Sequence, residues 1–445
     1  MNRKRKLGVV TGALLALLLV TFAVNIGFAF SENSTLTIGK NSPFYVGVTF
    51  GGNTTADAKL LIDRVKSYTN LFVIQSGPVS KNETELTQIS EYAIDAGLNI
   101  IVYFGYLDTQ NPWQLQWLNM AKQQWGDKLL GVYLDDEPSG IPLDYNWTGY
   151  FTAQKLENST VYQTHAFAID GILNGTYPHD YDQAAELSQA AIERNLAPLK
   201  NSSLTIFSSD YALYWFDYKG GYDVMLTQLG WNESITQNID LIRGAAQMQN
   251  KAWGAIITWK YTQPPYLDTG DAVYNQMLTA YEAGAKYVIL FNYPQLTGNP
   301  YGTLQDEHFV ALQKFWNTIM QTPRTNLPDF SQAQAALVLP ANYGFGLRRP
   351  DDRIWGYWGP DENSAQIWNI TQNLISVYGL RLDIVYVDSA FPVEGKYPQV
   401  YYWNQSVTTL QNNELSLPFS DSFANMTSEC RVMMYESPES STIVM

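Results

Sequence analysis

Between Phe44 and Gln321 the chain alternates short apolar β-type runs with helical segments, and this rhythm limits the fold more than any other feature. The β-type runs fall at 44–50, 71–77, 99–108, 129–138, 203–210, 223–231, 252–261 and 286–294, the sixth having the weakest pattern. Helices are predicted over 55–69, 84–96, 182–194, 235–249, 271–283 and 304–320, several opened by Thr or Asp and two closed by Ala-Gly. Eight βα repeats in about 280 residues match the size of a (β/α)8 TIM barrel over 40–322. An open doubly wound sheet is the alternative, but the chain reads GVTFGGNTT after the first run, without the glycine-rich phosphate turn such sheets carry.

After Pro323 the composition shifts to a loop and then to a second α/β unit over 331–405. Strands are predicted at 335–340, 382–387 and 399–403, with a helix at 364–378, which suggests a small flavodoxin-like domain. Its first loop, 342–361, interleaves Arg348, Arg349 and Arg353 with aspartates and aromatic residues. Such a loop either recognises a polar ligand or docks on the acidic barrel, because guanidinium groups pair with carboxylates of either kind. Residues 406–445 fit no element and form an unassigned tail.

The N-terminus places Arg3, Lys4, Arg5 and Lys6 before an uncharged apolar run over 7–30. That run is long enough to span a bilayer, so residues 1–30 read as a membrane anchor or secretory signal, with the body on the outer side. Eleven N-x-S/T sequons, at Asn33, Asn53, Asn82, Asn146, Asn158, Asn174, Asn201, Asn232, Asn369, Asn404 and Asn425, agree with an extracytoplasmic glycoprotein. Only one cysteine, Cys430, is present, which excludes an intrachain disulfide framework. A formal net charge of −15 argues against nucleic acid as a partner, since neutralising phosphates needs clustered Lys and Arg. The three histidines, His165, His179 and His308, are scattered, which argues against a His-rich metal site or a His-dependent triad. No cofactor or resident metal is expected, although the acids described next leave a divalent-cation site open.

The fourth run ends in Leu134-Asp135-Asp136-Glu137-Pro138, a buried strand running into three carboxylates. Active sites of a (β/α)8 barrel lie at the C-terminal ends of its strands, so these acids are the leading catalytic candidates. Strand alternation directs Val132 and Leu134 toward the helices and Tyr133, Asp135 and Glu137 inward, leaving Asp136 sideways unless the strand ends one residue early. A polar, aromatic insertion over 139–180 follows, read as a long loop above the acids that serves as lid, binding wall or decoration.

The Asp136-Glu137-Pro138 ending resembles glycoside hydrolase barrels that carry an adjacent Asp-Glu pair after strand four, and the N-E-P ending of the large clan of retaining barrels. The resemblance implies that Glu137 is the general acid protonating a glycosidic oxygen and that the substrate is a carbohydrate. The retaining clan also needs a Glu at the end of strand seven, where this chain has Trp259 and Lys260. Three substitutes stand open. Asp136 could orient a substrate acetamido group, Asp210 could act as nucleophile or base, or Asp135 could pair with Glu137 so that repulsion keeps one of them protonated. Strand ends supply substrate-binding candidates in Tyr106, Asp108, Tyr211, Trp259, Lys260, Asn292 and Tyr293. The expectation is an extracytoplasmic glycoside hydrolase, with a non-catalytic glycan-binding or cell-envelope protein as the alternative.

Overall fold

The structure, a computed structural model, describes residues 44–405 apart from 108–110, 146, 201, 295, 297 and 323–325. The apolar run over 7–30, Asp108, the tail over 406–445 and the sequons at Asn33, Asn146, Asn201 and Asn425 therefore lie outside the described residues. No helix among the described residues is long and apolar enough to cross a membrane.

Eight parallel strands close into a barrel in chain order. They are β1 (Tyr45–Phe50), β2 (Leu71–Ile74), β3 (Asn99–Gly105), β4 (Leu129–Leu134), β5 (Thr205–Asp210), β6 (Val224–Leu229), β7 (Ala252–Ile257) and β8 (Tyr287–Leu290). Pairing of Tyr45 with Tyr287 and of Val48 with Leu290 completes the ring. Every strand falls inside its expected run, including the weakly patterned sixth, and most stop short at the C-terminal end. The residues left over form the loops of the barrel mouth.

The helices of the barrel and its insertion are α1 (Thr55–Val65), α2 (Glu83–Asp95), α3 (Trp113–Trp125), α4 (Gly140–Asp144), α5 (Trp147–Leu156), α6 (Thr160–Leu173), α7 (Tyr181–Leu196), α8 (Tyr214–Gly220), α9 (Ile235–Met248), α10 (Gly270–Glu282) and α11 (Asp306–Gln321). Thr54, Asn82, Asp180, Ser234 and Thr269 each accept a backbone N–H of the first turn of the helix they precede. The insertion over 139–180 is thus not the loop expected but three helices, α4 to α6. Rings rather than an aliphatic stripe hold α5, with Trp147 stacked on Phe151 and on Tyr357, so apolar periodicity was a poor guide there.

Alternation in the strands sorts side chains into two layers. Leu71, Val73, Ile101, Tyr133, Phe207, Leu226, Ile256 and Ile289 fill the barrel interior, while Val132 and Leu134 join the outer core against the helices. Beyond the barrel, β9 (Ala335–Leu339), α12 (Ser364–Tyr378), β10 (Leu382–Tyr386) and β11 (Gln399–Tyr402) form a three-stranded parallel sheet with β9 in the centre. This sheet packs on α9 through one shared hydrophobic core. At the seam Arg243 of α9, fully buried, donates to Asp383 of β10 at 2.7 Å, to Asp240 at 3.4 Å and to the carbonyls of Phe330 and Leu382.

Loop 342–361 docks on the barrel mouth. Arg348 makes a two-pronged contact with Asp144 at 2.8 and 3.0 Å, pairs with buried Asp352 at 2.7 Å, and lies over the ring of Tyr211. Of the two expected roles for this loop, docking against the acidic face is the one Arg348 performs.

Candidate active site

β4 ends at Leu134 because Asp135 takes a left-handed backbone, φ 59°, and Glu137 does the same at φ 55°. Such a conformation costs a non-glycine residue about 1–3 kcal/mol and persists only where the surroundings enforce it. The enforcement comes from both neighbouring strands: the Asp135 N–H donates to the Gly105 carbonyl at 2.6 Å and the Glu137 N–H to the Ser209 carbonyl at 2.9 Å. The left-handed turn breaks the alternation after Leu134: Glu137 faces the cavity as expected, Asp136 joins it because the strand ends early, and the inward position expected for Asp135 is corrected. Asp136 turns into the barrel mouth, whereas Asp135 turns aside and accepts hydrogen bonds from Tyr106 and Asn195.

Asp136 and Glu137 line one cavity of about 190 Å³ together with Gln75, Ser209, Gln228, Trp231, Ile256, Thr258, Trp259, Phe291 and Tyr293. The floor is polar. Tyr133 points up the barrel axis and its hydroxyl donates to Asp136 Oδ1, while Ser209 Oγ donates to the same oxygen at 3.0 Å. Gln228 Nε2 donates to Glu137 Oε1 at 2.7 Å and to Ser209 Oγ at 3.2 Å. The far wall is aromatic, with Trp259 packed among Trp231, Phe291 and Tyr293. Two polar atoms of the lining residues, Gln75 Oε1 and Trp259 Nε1, have no hydrogen-bond partner, and buried polar atoms in that state normally await a ligand or water.

Burial pushes the Asp136 carboxyl up to about 7, helped by the neighbouring charge of Glu137 and opposed by the Tyr133 and Ser209 hydroxyls. Glu137 is also raised, first by burial, against the Gln228 hydrogen bond that favours its charged form.

Asp210 does not reach this cavity. It is fully buried, and its two oxygens accept the backbone N–H groups of Ser139, Gly140, Tyr211 and Ala212 at 2.7 to 3.3 Å. A side chain at position 140 would place a Cβ 2.4 Å from Asp210 Oδ1, so only glycine allows this approach. Asp217, also buried, accepts from Ser139 Oγ at 2.6 Å and is held well above the usual carboxylate range by burial and by the charge of Asp210. These two acids tie down the turn that follows Glu137.

Of the other expected contacts, Trp259 and Tyr293 line the cavity. Tyr106 bonds Asp135 outside it, Tyr211 donates to Asp144 at 2.8 Å, and Lys260 pairs with Asp268 at 2.6 Å. Asn292 is buried, accepts from Thr303 and borders a neighbouring cavity of about 500 Å³ with Phe50, Asn53, Pro294 and Asn299. Ser209 and Gln228 were missed by sequence reasoning. Their signal was available: each is a polar residue near the C-terminal end of a buried strand, in SLTIFSSD and DVMLTQLGW. No group of three or more His, Cys, Asp or Glu among the described residues is arranged to hold a metal ion, which agrees with the divergence of Asp135 from its two neighbours.

No protein-family model matches the sequence, and no curated protein matches it. Among solved structures, the chain is similar to a GH5_18 protein from Bifidobacterium longum in complex with Manb1-4GlcNAc, at 9% identity over 81% of this chain and 96% of that one, TM-score 0.47. A GH5_18 protein from Streptomyces cattleya in complex with GlcNAc gives 11% identity over 81% and 98%, TM-score 0.47. The endo-1,4-beta-mannanase from Rhizomucor miehei gives 13% identity over 63% and 96%, TM-score 0.38. The barrel rests on the strand order of this chain itself, and the chemistry on the residues of the cavity.

Proposed function

We propose that this chain is a glycoside hydrolase whose general acid is Glu137. The observation that carries the reading is the adjacent pair Asp136 and Glu137 on the floor of one aromatic-walled cavity, with Glu137 Oε1 pinned by Gln228. An oxygen that accepts the Gln228 N–H is left unprotonated, so the proton of the acid sits on Oε2, free to pass to a leaving glycosidic oxygen. The raised affinity of Glu137 for its proton suits that task.

Asp136 and Glu137 are the only carboxylates among the described residues lining the cavity. The second half of the reaction is therefore assigned to the substrate. On this reading a 2-acetamido sugar binds with its N–H donated to Asp136, and its carbonyl oxygen attacks the anomeric carbon as Glu137 protonates the departing oxygen. The resulting oxazolinium is opened by water, from which the Glu137 carboxylate takes a proton. Tyr133 and Ser209 hold Asp136 in place from below. The protein acts outside the cytoplasm, attached to the membrane through residues 7–30 if that segment is retained. In support, the seven sequon asparagines among the described residues, Asn53, Asn82, Asn158, Asn174, Asn232, Asn369 and Asn404, are all exposed.

The test is turnover of a panel of chromogenic glycosides that includes N-acetylhexosaminides and their glycans. The wild type should cleave at least one of them, and Glu137→Gln should abolish cleavage while binding persists. A wild type that binds glycans and cleaves none makes this a glycan-binding surface protein, the reading that the missing strand-seven acid favours.

A further inference from the structure

The seam between the insertion and loop 342–361 holds a cavity of about 110 Å³ that shares no lining residue with the two at the barrel mouth. One water needs about 10–15 Å³ on this measure, so there is room for a small ring. Its walls are aromatic, with Trp147, Tyr177, Tyr357 and Trp358, and Arg353 stands among them. Trp147 stacks near-parallel with Phe151 and with Tyr357 at 5.1 and 5.8 Å, which fixes its ring. Its Nε1 is buried and has no hydrogen-bond partner. The backbone of Gly356 passes close by at φ 75°, where a Cβ would come within 2.7 Å of Nε1.

The three arginines of the loop differ in their partners. Arg348 pairs with Asp144 and Asp352, and Arg349 with Asp351. Arg353 has no ion-pair partner among the described residues and gives only Nη1 to the Gly356 carbonyl at 3.2 Å. Both Arg353 and the indole N–H are donors without acceptor capacity, so the ligand they match presents acceptor oxygens and negative charge. The rings match the apolar C–H face of a sugar.

The geometry points to a second binding site in this cavity for an acidic sugar residue, with its carboxylate on Arg353 and a further oxygen on Trp147 Nε1. The site requires no activity at Glu137 and stands apart from the catalytic reading.

The test is binding of D-glucuronic acid to the full-length protein, followed by isothermal titration and ligand-observed NMR, with D-glucose as the uncharged control. Glucuronate should bind and glucose should not. Arg353→Gln, a change at an exposed position, should weaken glucuronate about tenfold or more, the loss expected for one charge-assisted hydrogen bond. Trp147→Phe, which keeps the ring stack and removes the N–H, should weaken it as well, whereas Glu137→Gln should leave it unchanged. The proposal is overturned if glucuronate does not bind, if glucose binds as tightly, if Arg353→Gln binds like the wild type, or if Glu137→Gln is the variant that loses binding.

Discussion

Replacing Asp136 with asparagine tests the electrostatics of the site without any substrate. Asparagine keeps the shape and can still accept the Tyr133 and Ser209 hydroxyls, so it mimics the protonated acid. In the unfolded chain the carboxyl ionises near its ordinary value of 3.8, whereas in the folded protein it holds its proton up to about 7. Between those limits the folded state binds more protons than the unfolded state, so stability falls as pH rises. At 1.36 kcal/mol per unit, the difference of 7 and 3.8 amounts to about 4 kcal/mol, an upper bound because Asp136 is only half-buried. The stability of the wild type relative to Asp136→Asn should therefore decline from about pH 4 to about pH 7 and then level off. Urea unfolding followed by tryptophan fluorescence across that range measures it. A difference between the two proteins that stays flat with pH would refute the argument, since Asp136 would then titrate as an ordinary exposed carboxylate.

Other perturbations separate the remaining parts of the structure. Arg243→Met should destabilise the protein by about 3–5 kcal/mol in the same unfolding assay, because it strands buried Asp383 and Asp240 without a counter-charge. Gln228→Leu removes the donor that favours charged Glu137, so the alkaline limb of the pH–rate profile should move to higher pH, and an unmoved limb would break the link between the two side chains.

Much of the barrel was legible because its signal is local. Each strand of a parallel barrel is buried on both faces and reads as an apolar run, and the capping residues Thr54, Ser234 and Thr269 announce their helices within a few positions. The insertion was not legible, since α5 is held by rings from loop 342–361, some two hundred residues away along the chain, as Tyr357 on Trp147 illustrates. The same distance hid the choice between ligand recognition and docking for Arg348 until Asp144 was placed against it.

The sequence by itself determined the βα rhythm, the position of the acids at the end of the fourth strand, and the lack of an acid at the end of the seventh. Only the tertiary structure decided which acids face the cavity. Backbone hydrogen bonds to Gly105 and Ser209, on the strands either side of β4, hold Asp135 and Glu137 in left-handed conformations that break the strand's alternation. That break brings Asp136 beside Glu137 in the cavity, and the four backbone N–H groups gathered by Asp210 turn a candidate nucleophile into an anchor for the loop that follows. Alternation is a property of a continuous strand, and where neighbouring strands end the strand, the positions of its last side chains are set by those neighbours.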